Sequence, residues 1–123
     1  MTTIKTYKDL IVWQKSVDLT KELYKIANQL PPKEQFILIS QMLRAAISIP
    51  SNIAEGWARN HKIEYLRFLS ISYASSAELE TQIIIAKSQY PNINYEAAES
   101  LLLEIHKMLL VLMKNIKNHD AKW

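Results

Sequence analysis

The chain has 123 residues, of which 49% are hydrophobic and 22% charged, enough for one domain with a sizeable core. It has no cysteine, which excludes disulfides, thiolate metal sites and thiol catalysis, and a single glycine, which excludes a phosphate-cradling loop, a dinucleotide fingerprint and a turn-rich all-β fold. The net charge of +3 is a mild basic bias, compatible with nucleic acid as a partner.

The opening Met1 to Lys5 has no apolar stretch of the signal-peptide kind. The longest apolar run, Met108 to Met113, falls far short of the ~18 residues that cross a bilayer. The expectation is a cytoplasmic protein without a membrane partner. From about Lys8 to Leu30, Trp13, Val17, Tyr24 and Ala27 recur at helical spacing opposite Lys15, Asp18, Lys21, Glu22 and Lys25. Pro31-Pro32 stops this helix because neither residue can donate the next amide. A second helix is expected over 33–58, carrying Phe36, Ile39, Met42, Leu43 and Ile47 inward. A third runs over 61–90 with Asn60 as its cap, and Pro91 ends it. The fourth covers 94–118 with Asn94 as cap and a core stripe through Leu102, Ile105, Leu109 and Ile116. Four helices of similar length with short connections predict an all-α, antiparallel up-down-up-down four-helix bundle, a single domain over 1–123.

The most informative stretch is Gln41 to Gly56. Gln41, Arg44, Ser48, Asn52 and Glu55 fall within about 80° of one helix face. Pro50 sits in its middle, so the helix either kinks and continues or restarts with Ser48 as cap. The unbroken phase of the polar face favours continuation, with Gly56 or the residues just after it ending the segment. A solvated face is one reading of these polar residues; a partly buried seam where a second helix packs close is the other. Folding the third helix back about a turn near His61 sets Arg44 level with Glu78, Glu55 with Arg67, Asn52 with Ser70 and Ile47 with Ser75. Two crossed ion pairs would then fix the register. A catalytic pair made of Glu55 and Glu78 is the sharper alternative, but no histidine or nucleophile lies in phase with it. His61, His106 and His119 lack metal-ligand spacing and are read as surface residues, so no catalytic residue, cofactor or metal is expected. Trp13 and Trp57 are read as anchors in the core or an interface.

In such a bundle both termini and the second loop share one end. That end carries Lys5, Lys8, Arg59, Lys62, Lys114, Lys117 and Lys122 against four acids, an excess equal to the whole net charge. It suits phosphate backbones read without sequence; a lysine-rich end kept for solubility is the alternative. Leu66 and Tyr73 on the third helix, and Leu103 and Leu110 on the fourth, lie off the core stripes. Apolar residues so placed predict self-association, or else a wide helix contact.

Tyr7-Lys8-Asp9-Leu10 followed by Val12-Trp13-Gln14-Lys15 resembles the opening of the 23S ribosomal RNA intervening-sequence proteins. The run Gln41-x-x-Arg44-Ala45-x-x-Ser48-Ile49-Pro50-Ser51-Asn52-Ile53-Ala54-Glu55-Gly56 resembles that family's most distinctive segment. Phe68-Leu69 through Ser75 to Thr81 resembles its third-helix motif, with Ser72 and Ala74 departing from the expected alanine and glycine. The resemblance implies a homopentamer with a central channel and no catalytic activity, so the chain is not expected to be an enzyme. A related branch, the accessory variability determinants of diversity-generating retroelements, partners a reverse transcriptase and nucleic acid. The implied role is a non-enzymatic binding protein for RNA or DNA; the alternative is an adaptor that docks a protein partner.

Overall fold

The computed structural model describes residues 3–119, which form four α-helices and no strand. These are α1 (Ile11–Gln29), α2 (Ser40–Ala58), α3 (Lys62–Gln89) and α4 (Glu96–Asn118). Each helix packs on the next in sequence, and α4 also packs on α1. One apolar cluster runs through all four, with Leu19, Leu23, Ile49, Ile53, Leu69, Leu79, Ile105 and Leu109 sealed from solvent. Burial on this scale supplies the main driving force for packing four amphipathic helices together.

The first helix begins later than its periodicity suggests. Thr6 and Asp9 form a capping box around a 3₁₀ turn, Tyr7–Asp9. The Asp9 carboxylate accepts from the Lys5 and Thr6 amides at 2.8 and 3.1 Å. Leu10 is then extended and buried, so α1 starts at Ile11. The Gln14 side-chain Nε2 donates back to the Lys8 carbonyl at 2.8 Å, and the Tyr7 ring meets Trp13 edge-on at 5.4 Å. The Tyr7 to Trp13 motif is thus the clamp that folds the N-terminal arm onto the bundle.

The second helix is reached through a 3₁₀ turn, Pro32–Glu34, and a π turn, Gln35–Ile39. A π turn holds one extra residue and rotates what precedes it by about 100°. Phe36, expected inside, is 85% exposed with Ile37 beside it, while Leu38, one turn before Met42, lies on the buried face. From Pro32 to Ala58 the helical stretch is long and apolar enough, by length and composition alone, to cross a membrane. In the structure it is the element that α1 and α3 pack against.

A correction concerns the turn between α2 and α3. Asn60 is not the cap of α3; His61 holds that position in an extended conformation. Asn60 instead adopts φ +54°, the left-handed residue that closes α2, with its amide on the Trp57 carbonyl at 3.1 Å. Gly56 lies inside α2 and is buried, and the helix ends just after it at Ala58, as the other half of that expectation has it. A β-carbon there would stand 2.8 Å from Phe68 Cβ and 3.1 Å from the Tyr65 ring. The glycine is needed for close approach of α3, not for a turn.

At the far end, the Tyr95 hydroxyl donates to the Ala86 and Tyr90 carbonyls, closing the α3–α4 connection. Tyr95, not Asn94, holds the N-cap position of α4, a further correction; Asn94 Oδ1, one residue earlier, accepts from the Glu96 amide at 2.9 Å. The Tyr90 hydroxyl donates to Glu34 at 2.6 Å, tying that connection to the entry of α2 and raising the Tyr90 pKa. Replacing Gly56 by alanine should cost about 1–3 kcal/mol in urea unfolding, because backbone or Phe68 must shift to admit the methyl group. Unchanged stability in that variant would show the α2–α3 contact to be looser than its geometry.

Candidate nucleic-acid interface and the polar seam behind it

Pro50 stands inside α2 and leaves the Ala46 carbonyl without its helical donor. Thr20 on α1 reaches across: its hydroxyl proton is shared between the Ser16 carbonyl at 2.9 Å and the Ala46 carbonyl at 3.3 Å. Ser72 on α3 is fully buried and donates to the Ile49 carbonyl at 2.9 Å. Asn52 donates to the Ser48 carbonyl and hydroxyl at 2.8 and 2.9 Å, and Ser48 and Ser75 join hydroxyl to hydroxyl at 2.8 Å. Small hydroxyl residues therefore do two things here. They let three helices approach closely, and they supply donors to carbonyls around the proline. Ser72, where the resemblance leads one to expect alanine, has a defined use.

The register expected between α2 and α3 agrees with these bonds to within a residue, but the crossed ion pairs do not form. Arg44 and Glu78 are exposed, and no ion pair joins them among the described residues. Glu55 pairs with Arg59 at 3.0 Å, and Arg67 with Glu64 at 2.8 Å, each on its own side of the turn. The partners one helical turn away are reached without desolvating a charge, so they win over the cross-helix ones. Asn52 bonds within α2, while Ser70 faces Met113 Sδ at 3.7 Å; Ile47 is exposed and Ser48 takes Ser75 instead. Gln41 lies exposed beside Ile37 and Gln82 in a shallow groove. The polar face thus divides into a hydroxyl seam inside and charged residues at the rim.

The basic residues belong to the arm and to the ends of α2, α3 and α4. An open apolar groove of about 630 Å³ separates the arm, at Ile4 and Ile11, from Val111 and Asn115 of α4. The arm's 3₁₀ turn packs on α2, and the Ser70–Met113 contact sets the start of α3 beside the end of α4. Lys5, Lys8, Arg59, Lys114 and Lys117 are exposed at this end and Lys62 is half-buried there. Lys122 and Asp120, counted at the same end, and Trp123 lie outside the described residues. The Phe68 ring, 6% exposed, has the Arg67 guanidinium 4.4 Å and the Arg59 guanidinium 5.1 Å from its centroid. The Arg67 hydrogen bond holds the Glu64 carboxyl below the usual carboxylate range. Burial pushes the Tyr65 hydroxyl well up.

Of the outward apolar residues, Leu103 and Leu110 are about half exposed, as their spacing implies. Leu66 and Tyr73 are half-buried and pack on the core, so they belong to the contact between α3 and its neighbours. His106, read as a surface residue, is another correction. Its ring lies edge-on to Tyr73 at 4.5 Å and its Nδ1 is 3.1 Å from Ser76 Oγ. With the Ser76 proton on the Tyr73 carbonyl at 2.6 Å, Ser76 accepts from Nδ1–H, which leaves Nε2 unprotonated in the neutral ring. Sequence spacing could not show this pair, because the α3–α4 register has no motif to anchor it. Among the described residues no three metal-ligating side chains converge.

Fold and site together define an all-α protein of four helices with a basic end. The chain belongs to the 23S rRNA-intervening sequence protein family, whose model matches residues 8–112. It is similar in fold to a crystal structure of a protein of unknown function from the S23 ribosomal protein family of Bacteroides thetaiotaomicron, with TM-score 0.73, 23% identity and coverage of 85% of this chain and 99% of that one. No match among curated proteins accompanies these.

The hydroxyl bridge to Pro50 makes a specific prediction. Thr20→Val should cost about 1–3 kcal/mol, since it leaves the Ala46 carbonyl unpaired. In a Pro50→Ala background, where residue 50 regains its amide, the same change should cost less than about 0.5 kcal/mol. Equal costs in the two backgrounds, measured by urea unfolding, would remove the bridge from the account.

Proposed function

We propose that this chain is a non-enzymatic, oligomeric binding protein of the cytoplasm that engages RNA or DNA through its basic end. The observation that carries the reading is the gathering of Lys5, Lys8, Arg59, Lys114 and Lys117 at one end, exposed to solvent. Phosphate binding needs little more than clustered, accessible cations, and it carries no demand for sequence reading.

The assembly belongs to the same proposal. Ser48–Ser75, Lys87–Glu99 and Lys15–Glu104, at 2.8, 3.0 and 2.6 Å, support an antiparallel up-down-up-down course of the chain. The exposed Leu103, Leu110 and Val111 on α4 support self-association, with a homopentameric ring as the proposed form. A ring of copies pointing the same way would sum their basic ends on one face and raise affinity by multivalency.

A second reading, an adaptor docking a protein partner such as a nucleic-acid-processing enzyme, is favoured by one observation. Phe36 and Ile37 stand exposed at the end opposite the basic cluster, where Tyr90 bonds Glu34.

Charge reversal discriminates the two. Lys5→Glu and Lys8→Glu combined with Lys114→Glu and Lys117→Glu should weaken binding of a labelled RNA at least about 100-fold and flatten its salt dependence, as counterion release requires. Binding that is unchanged in strength and salt slope would overturn the nucleic-acid reading and leave the adaptor.

A further inference from the structure

We propose that Arg59 and Arg67, stacked on Phe68, form a platform on which unpaired bases of a single-stranded nucleic acid stack. The inference rests on the nucleic-acid reading above and names the form of the ligand. Phe68 is nearly sealed, with the two guanidiniums 5.1 and 4.4 Å from its ring centroid. Both arginine side chains nevertheless keep half their surface in solvent, 50% and 55%. Each guanidinium thus lies against the ring and still offers about half of its side chain to solvent.

One edge donor of each guanidinium is used as well. Glu55 accepts from Arg59 at 3.0 Å and Glu64 from Arg67 at 2.8 Å. These carboxylates help hold each guanidinium in place. What they leave open is the flat face, which suits a base better than a backbone. The free cations lie close by on the same end: Lys114 and Lys117 on α4, with Lys5 and Lys8 on the arm. A strand whose phosphates follow the lysines would bring its bases over the arginine faces. Duplexes hide their base faces in the stack and cannot use such a platform.

The test compares four probes of equal length by fluorescence anisotropy over the same series of salt concentrations: a single-stranded RNA, a single-stranded DNA, the same DNA with abasic sites throughout, and a duplex. Arg67→Lys keeps the charge and removes the plane. It should weaken both base-bearing single strands about tenfold, while abasic strand and duplex bind as to the wild type and the salt slope holds. Retained duplex binding also reports a folded variant. Single-strand affinity unchanged by Arg67→Lys, or lowered equally for all four probes, would overturn the platform. If Lys114→Glu and Lys117→Glu still abolish binding in that case, the basic-end reading stands without it. A wild-type protein that binds none of the probes overturns both.

Discussion

The structure depends on how one proline is accommodated in the helix that the others pack against. Pro50 costs α2 a backbone donor at a place where no water can supply one. An isolated helix would break there. Here a hydroxyl from α1 reaches the orphaned carbonyl, and α3 delivers a buried serine to the adjacent turn. The defect in α2 is therefore repaired only when α1 is in register, and the Ser72 bond ties α3 to the neighbouring turn. A local fault has become a long-range specification, which apolar packing alone, being non-directional, does not provide.

That register has consequences along the helices. It brings Gly56 against Phe68, where the absence of a β-carbon allows the backbones to close. Phe68, so held, becomes the floor on which Arg59 and Arg67 rest. The capping box at Thr6 folds the arm back at the same end and delivers Lys5 and Lys8 beside the end of α4. The basic end is thus assembled from four separate parts of the chain, each set by a different local device.

Much of this was legible in the sequence. Apolar periodicity gave four helices within a few residues, and the unbroken polar phase carried α2 through Pro50. The α2–α3 register followed from the turn near His61 because small residues on both helices force close contact. Ion pairing was misjudged, since long charged side chains find partners one turn away before they reach another helix. Asn60 was misread because a left-handed closing residue and a helix cap draw on the same residue types. Phe36 went to solvent because, six residues before Met42, it falls off the face that Leu38, four before it, shares. His106 and Thr20 gain their roles only from neighbours on other helices, and spacing within one helix cannot report those.

The central claim is that copies of this chain assemble and carry nucleic acid on a shared basic face. Light scattering on the purified protein, with the 260/280 nm absorbance ratio recorded across the same peak, tests it most directly. The account predicts a pentameric mass with excess absorbance at 260 nm that disappears in high salt. A monomeric mass with a protein-like ratio at every salt concentration would contradict it.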